Sequence, residues 1–281
     1  MSISASPNVV VSSPPIAVSP PLRAQPIPVE SREIVGTRVD GTNYAGAVDL
    51  ITSWAREQAS RYVCVSTVHM VMEGHDNRDY QQVVNAADLV TSDGMPLVWA
   101  LRLLGARRSE RVYGPDLTPL VCERAAAEGL PVGFYGSSPE VLDAMVGNLR
   151  QAYPDLDVAY QCSPPFRELT EEEVEREIQE IRASGARIIF VGLGCPKQER
   201  WMHARRDRLD AVLVGVGAAF DYVGKTKHQA PGFMQRHGLE WLFRLVTEPR
   251  RLWRRYLYHN PRFVGLFSAQ LARTIVRSVR T

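Results

Sequence analysis

The sequence predicts an α/β fold: a Rossmann-like, mainly parallel sheet with helices on both faces, followed by a basic, amphipathic helical appendage at the C-terminus. Three observations predict it. Six short apolar runs alternate with amphipathic stretches of helical length, the pattern of repeated strand–helix–strand units. Five of those runs end in small, polar or ionisable residues, as expected where an open parallel sheet binds its ligand. Residues 249–281 contain eight arginines and no acidic residue, a composition unlike the rest of the chain.

Residues 1–30 hold seven of the 19 prolines and six serines, with one Arg and one Glu. No periodic apolar face survives that proline density, so a disordered lead is expected. An α/β domain is expected over residues 31–248. Its strands are Arg61–Thr67, Leu89–Ser92, Pro131–Tyr135, Asp157–Gln161, Arg187–Leu193 and Ala211–Val216, each a short apolar run. Helices are expected at Ala45–Gln58, Pro139–Tyr153 and Glu171–Ala183. The last opens on a capping box, Thr170 with Glu173, and stops before Gly185.

The appendage is expected over residues 249–281. Lys+Arg and Asp+Glu nearly cancel, 33 against 31, for a net charge of +2. Removing the eight arginines (250, 251, 254, 255, 262, 273, 277, 280) leaves about −6 for residues 1–248. If Pro261–Arg280 is helical, Arg262, Arg273, Arg277 and Arg280 share one side. Phe263, Val264, Phe267, Leu271 and Ile275 share the other. Such a helix suits an anionic membrane surface. It equally suits packing on its own domain or on a second subunit of a homo-oligomer. No nucleic acid partner is expected, because the tail lacks any binding module.

Four cysteines without a C-x-x-C pair supply neither a disulfide framework nor a structural zinc site, which suggests a reduced, cytoplasmic compartment. No apolar run is long enough to span a bilayer, and no signal peptide is evident.

The strand ends offer Thr67 and His69, Asp93-Gly94, Gly136, Gly192 with Gly194, and Gly217 to Asp221. Gly192-x-Gly194 is followed by Pro196-Lys197, so the third glycine of a dinucleotide fingerprint is missing, and there is no Walker motif. Asp93, between a strand and a helix, sits where a general base could meet a hydroxyl, or where a helix cap is needed. Cys195 falls at a helix start, where a lowered thiol pKa is an expectation, without a role. The only Asp-x-Asp, Asp155-Leu156-Asp157, enters a strand and so lies at the wrong sheet edge for a metal-dependent transferase. The six histidines show no metal-ligand spacing beside suitable acids, so chemistry without a metal or cofactor is expected.

Together these motifs resemble glycosyltransferase family 26, the WecG/TagA/CpsF family, over about residues 33–256. The carrying segments are Ala87-Asp88-Leu89 with Asp93-Gly94, Arg111 to Leu117, Gly192 to Glu199 with Trp201, Gly215 to Asp221, Ala230-Pro231, and Gly238 to Arg251. The resemblance implies an inverting, metal-independent transfer from a UDP-sugar to a lipid-linked, polyprenyl-pyrophosphate-type saccharide. The reaction would take place at the inner face of the cell membrane, in cell-surface polysaccharide synthesis. It implies Asp93 as general base, and Thr67, Arg111 and Gln198 in the substrate pocket. Arg244, Arg251 and Arg254 would close over the donor pyrophosphate. His69 stands where the family's T-x-N signature has asparagine. Gly136, Gly192, Gly194 and Asp221 complete the expected substrate-binding set. Two other readings remain: a non-catalytic membrane-peripheral scaffold, against which Asp93, Arg111 and Gln198 together weigh, and a nucleotide-dependent oxidoreductase, which the incomplete glycine fingerprint disfavours.

Overall fold

The computed structural model describes residues 25–280. Residues 1–24, most of the lead expected to be disordered, lie outside them. Residues 25–29 run beside the first helix, where the Gln25 carbonyl accepts from Asn43 Nδ2 at 3.0 Å and Ile27 is buried. An antiparallel hairpin follows, β1 (Glu30–Ile34) and β2 (Thr37–Gly41). Its two-residue turn, Val35-Gly36, has φ of 52° and 84°, the left-handed geometry that matches strand twist. Val35 is an unusual residue there, and the sequence gives no hint of this hairpin.

The remaining elements follow in order: α1 (Tyr44–Arg56), β3 (Arg61–Ser66), α2 (Val68–Asp76), α3 (Arg78–Asn85), β4 (Leu89–Ser92), α4 (Met95–Leu103), α5 (Gly114–Glu128), β5 (Val132–Gly136), α6 (Pro139–Ala152) and β6 (Val158–Cys162). Then come α7 (Glu171–Ser184), β7 (Ile188–Gly192), α8 (Lys197–Arg205), β8 (Val212–Gly215), α9 (Ala219–Val223), α10 (Gly232–Arg236), α11 (Glu240–Thr247) and α12 (Pro249–Arg280). All six expected strands form, and the Thr170–Glu173 capping box starts α7.

The six strands make one parallel sheet in the order β4-β3-β8-β7-β5-β6. Alternation along each strand feeds two cores. Val63, Phe134, Phe190 and Val214 pack on α1, α5, α6 and α9; Tyr62, Cys64, Ile189 and Leu213 pack on α3, α7 and α8. Helices thus cover both faces, as burial of a parallel sheet requires. A third cluster joins the hairpin, α2, α4 and α12 through Ile34, Val39, Met72, Leu97, Leu101, Phe263 and Phe267. The hairpin is tied to β4 by the buried Asp40 carboxylate, which accepts from Ser31 Oγ at 2.6 Å and Val90 N–H at 2.8 Å.

The appendage helix begins at Pro249 and runs through Pro261, twelve residues earlier than the sequence phase suggests. Proline suits a first helical position, and inside a helix it removes a single backbone bond. Phe263 and Phe267 face the body of the protein and are buried, while Val264 and Ile275 are exposed. Arg262 grips Asp76 of α2 with both terminal nitrogens at 2.7 and 2.6 Å, and Gln270 pairs with the Glu33 carbonyl and the Val35 N–H. No described helix is long and apolar enough to cross a membrane.

Candidate active site

Where β3 and β4 end, a cleft opens between the sheet edge and α10–α12. Thr67 caps α2, accepting from Met70 N–H at 3.4 Å, and lines the cleft together with His69. Asp93 follows β4, held in place by its N–H bond to the Ser66 carbonyl at 2.8 Å. The stretch before α5 runs beside β4, with Val112 N–H on the Ser92 carbonyl at 2.9 Å. That brings Arg111 to Asp93, whose Oδ1 accepts from Nη2 at 3.3 Å and whose carbonyl accepts from Nε. So Asp93 is no helix cap: Gly94 holds that position, without a side-chain bond.

The far wall comes from α10, α11 and the start of α12. Gly238 turns the chain into α11 with φ of 70°, and a Cβ there would stand 2.8 Å from the Trp99 ring. Only glycine allows both, so α11 lies close over α4. Glu240 reaches in and joins two arginines, pairing with Arg111 Nη2 and, at 2.7 Å, with Arg244 Nη2. Arg244 also donates to Tyr113 OH at 3.1 Å and lies over the Tyr222 ring. Arg255 adds a third guanidinium from α12, and its Nε, like that of Arg244, is buried without a hydrogen-bond partner. Unpartnered buried donors facing a cleft suit an anionic ligand.

Burial pushes the Asp93 carboxyl up to about 6; Arg111 opposes that rise and the Glu240 carboxylate adds to it. Burial also lowers the His69 imidazole to about 3, assisted by Arg255 and His259, and lowers His259. Both imidazoles are therefore neutral near pH 7.

Thr67, His69, Asp93, Arg111 and Arg244 thus share one cleft, and the other expected residues lie elsewhere. Gln198 is buried, accepting from Gly194 N–H at 3.2 Å and donating to Glu199 Oε1 at 2.7 Å. Glu199, itself buried, also accepts from Tyr80 OH at 3.0 Å. Gly136 and Gly192 face each other on β5 and β7; with φ of 127°, a Cβ on Gly136 would meet the Gly192 carbonyl carbon at 2.6 Å. Gly192 lines a second cleft, with Ser137, Lys197 and Arg205. Asp221, on α9, pairs with Lys227 at 3.4 Å. Arg251 pairs with Glu248 at 2.6 Å, and Arg254 lies over the Trp253 ring; neither lines the first cleft. The Cys195 thiol goes up, not down, because burial and Glu199 outweigh any effect of the helix start.

Glu240 and Gln235 line the cleft without a role expected from the sequence, and so do Arg255, Tyr256 and His259 of α12. The signal for the last three is the buried stripe of α12, where Leu252, His259, Phe263 and Phe267 repeat at helical spacing. Extending the Phe263–Phe267 phase backwards places 255, 256 and 259 on the inward face.

Comparisons with known proteins give the family. The profile of the glycosyl transferase WecG/TagA/CpsF family matches residues 32–277. A protein of Bacillus spizizenii, an N-acetylglucosaminyldiphosphoundecaprenol N-acetyl-beta-D-mannosaminyltransferase, is 30% identical over 210 residues, which cover 74% of this chain and 79% of that one. The matched span takes in both walls of the cleft, from β4 to α12. The chain belongs to the glycosyl transferase WecG/TagA/CpsF family.

Proposed function

We propose that the protein is an inverting glycosyltransferase that moves a sugar from a UDP-sugar to a polyprenyl-pyrophosphate-linked saccharide, in cell-envelope polysaccharide synthesis. The observation that carries this reading is the cleft itself: one carboxylate with a raised pKa, Asp93, opposite guanidinium groups with unpartnered nitrogens, Arg244 and Arg255. The related Bacillus transferase, whose name gives a diphosphoundecaprenol saccharide as acceptor, supports the acceptor class.

In this mechanism Asp93 takes the proton from the acceptor hydroxyl as its oxygen attacks the anomeric carbon. The bond from that carbon to the diphosphate oxygen breaks on the opposite face, which inverts the centre. Negative charge moves onto UDP, where preorganised cations lower its energy most. Arg244 and Arg255 are placed to receive it, and Arg111 and Glu240 hold the base and the cationic wall in register. Fixed guanidinium charges take the part that a metal plays in other transferases. The lone Asp-x-Asp precedes β6, at the opposite sheet edge, and so favours this metal-independent route.

The appendage offers a surface for the membrane that holds the acceptor. Trp253, Leu257 and Val264 are exposed on α12 beside Leu242 and Val246 of α11, with Arg250, Arg251 and Arg254 exposed nearby. We place the protein peripherally on the inner leaflet through this face.

The test is UDP release by the full-length protein across a panel of UDP-sugars, with membrane extract as acceptor and EDTA present. Release with one donor, resistant to EDTA and lost in Asp93→Asn, is expected. It would name the sugar, which His69 in place of the family asparagine leaves open. No release with any donor would leave the scaffold reading in its place.

A further inference from the structure

At the inner end of the cleft, two elements bring three donor atoms to one point. His69 and Glu73 stand one turn apart on α2, and His259 crosses to them from α12. Glu73 Oε1 lies 3.6 Å from His69 Nδ1 and 3.6 Å from His259 Nε2, and the three ligand atoms all fall within 4.8 Å of one another. The imidazole rings are 5.0 Å apart, tilted by 58°. Tetrahedral ligands about 2.0–2.1 Å from zinc lie roughly 3.3 Å from each other, so small side-chain rotations close the triad on an ion.

We propose that His69, Glu73 and His259 form a divalent transition-metal site that fastens α12 to α2 at the edge of the cleft. Three further observations favour it. His69 Nδ1, one of the three donor atoms, is buried without a hydrogen-bond partner, and His259 is only 8% exposed. Two imidazoles and one carboxylate make a nitrogen–oxygen donor set suited to zinc. His69 and His259 line the cleft and Glu73 does not, so the side of the triad away from Glu73 opens to a water as fourth ligand.

The Arg255 guanidinium on the same wall opposes a cation, and the shared Glu73 charge offsets it. The triad shares the cleft with Asp93, Arg244 and Arg255 but contains none of these three groups, which carry the proposed transfer chemistry. Phe263, Phe267 and the Arg262–Asp76 pair hold α12 without a metal, so its removal loosens the helix and does not release it.

The experiment reads binding, not activity. Full-length protein is stripped with a chelator, dialysed, and titrated with Co²⁺ by visible absorption and with Zn²⁺ by calorimetry. One Zn²⁺ per chain is expected, displacing Co²⁺ with loss of intense tetrahedral bands. His69→Asn, Glu73→Gln and His259→Ala should each weaken binding by about 100-fold or more, at least the cost of losing an outer-shell partner of a metal site. His75→Ala, exposed on the same helix, should leave affinity unchanged. Zinc should raise the melting temperature of the parent protein and of His75→Ala, and of none of the three ligand variants. Glu73→Gln keeps the packing of α12, so its loss of binding reads on ligation alone. Affinity weaker than about 100 µM, or equal affinity in the His69→Asn/His259→Ala double variant, would overturn the proposal.

Discussion

At Asp93, burial and Arg111 pull the carboxyl in opposite directions, and burial wins. A base that titrates near 6 is ionised at neutral pH yet basic enough to accept a proton, which suits general-base work. The rate should therefore rise with pH through about 6 and level off above it, measured as UDP release at saturating donor. The same group has a cost in stability. Its folded value lies above the ordinary carboxylate value, so its stabilising contribution is complete below that value and lost as pH rises through about 6. Asp93→Asn should then melt higher than the parent protein at pH 8, with the gap narrowing at pH 5.5, while activity is lost. Arg244 poses a sharper chemical test. Its fork touches Glu240, Tyr113 and the Tyr222 face together, which an ammonium cannot reproduce. Arg244→Lys should lower kcat by about 100-fold, in the range for loss of one charge-stabilising donor. Asp93 was legible in the sequence because it follows a strand end, whereas Arg111 was reached only through the family resemblance, since its place beside β4 is a matter of tertiary structure. Arg255 and His259 were not, because their inward direction depends on the phase of a helix whose start the sequence misplaces.

Helix α12 is held by one inward stripe, and its outward side has little to do with that. Phe263→Ala, which removes a ring that stacks on Phe267 and fills the third core, should cost up to about 3–5 kcal/mol of local docking energy. Hydrogen exchange should show faster exchange confined to α12 and α2, with the sheet strands unchanged. Deleting residues 245–281 should leave a folded α/β core by circular dichroism and abolish transfer, since Arg255 goes with it. Full activity of that truncation on a soluble acceptor would refute the two-part active site. The six parallel strands were legible because buried strands read as continuous apolar runs. The β1–β2 hairpin was not, since its turn is Val35-Gly36 and the buried positions of β2 include Thr37, Asp40 and Gly41, which carry no apolar signal. The amphipathic tail is legible as helix, but its pattern leaves open whether the Phe263 and Phe267 side meets a membrane or the protein's own body, and the structure packs it on the body. The hairpin that covers it could not be seen in advance.

The whole molecule is electrically divided, with about −6 on residues 1–248 and eight arginines beyond. Association with vesicles should require anionic lipid and fall steeply between low and high salt, since exposed charges are screened within about 10 Å at 0.1 M. Co-sedimentation across a salt series measures it, and Arg250→Glu with Arg254→Glu should weaken it without moving the melting temperature. Trp253→Ala and Leu257→Ala should weaken the part that survives in high salt. The continuity of α12 sets one more property. Between the exposed Arg251 and Arg273 the helix rises 22 residues, roughly 33 Å at 1.5 Å per residue. The helix is in effect a ruler with a cationic mark at each end. A soluble nucleotide can occupy one mark at a time, whereas a flat field of headgroups meets both, and the second contact forms at the high local concentration set by the first. The same arginine count on a flexible tail would lack that discrimination, and free UDP would compete with the bilayer for it.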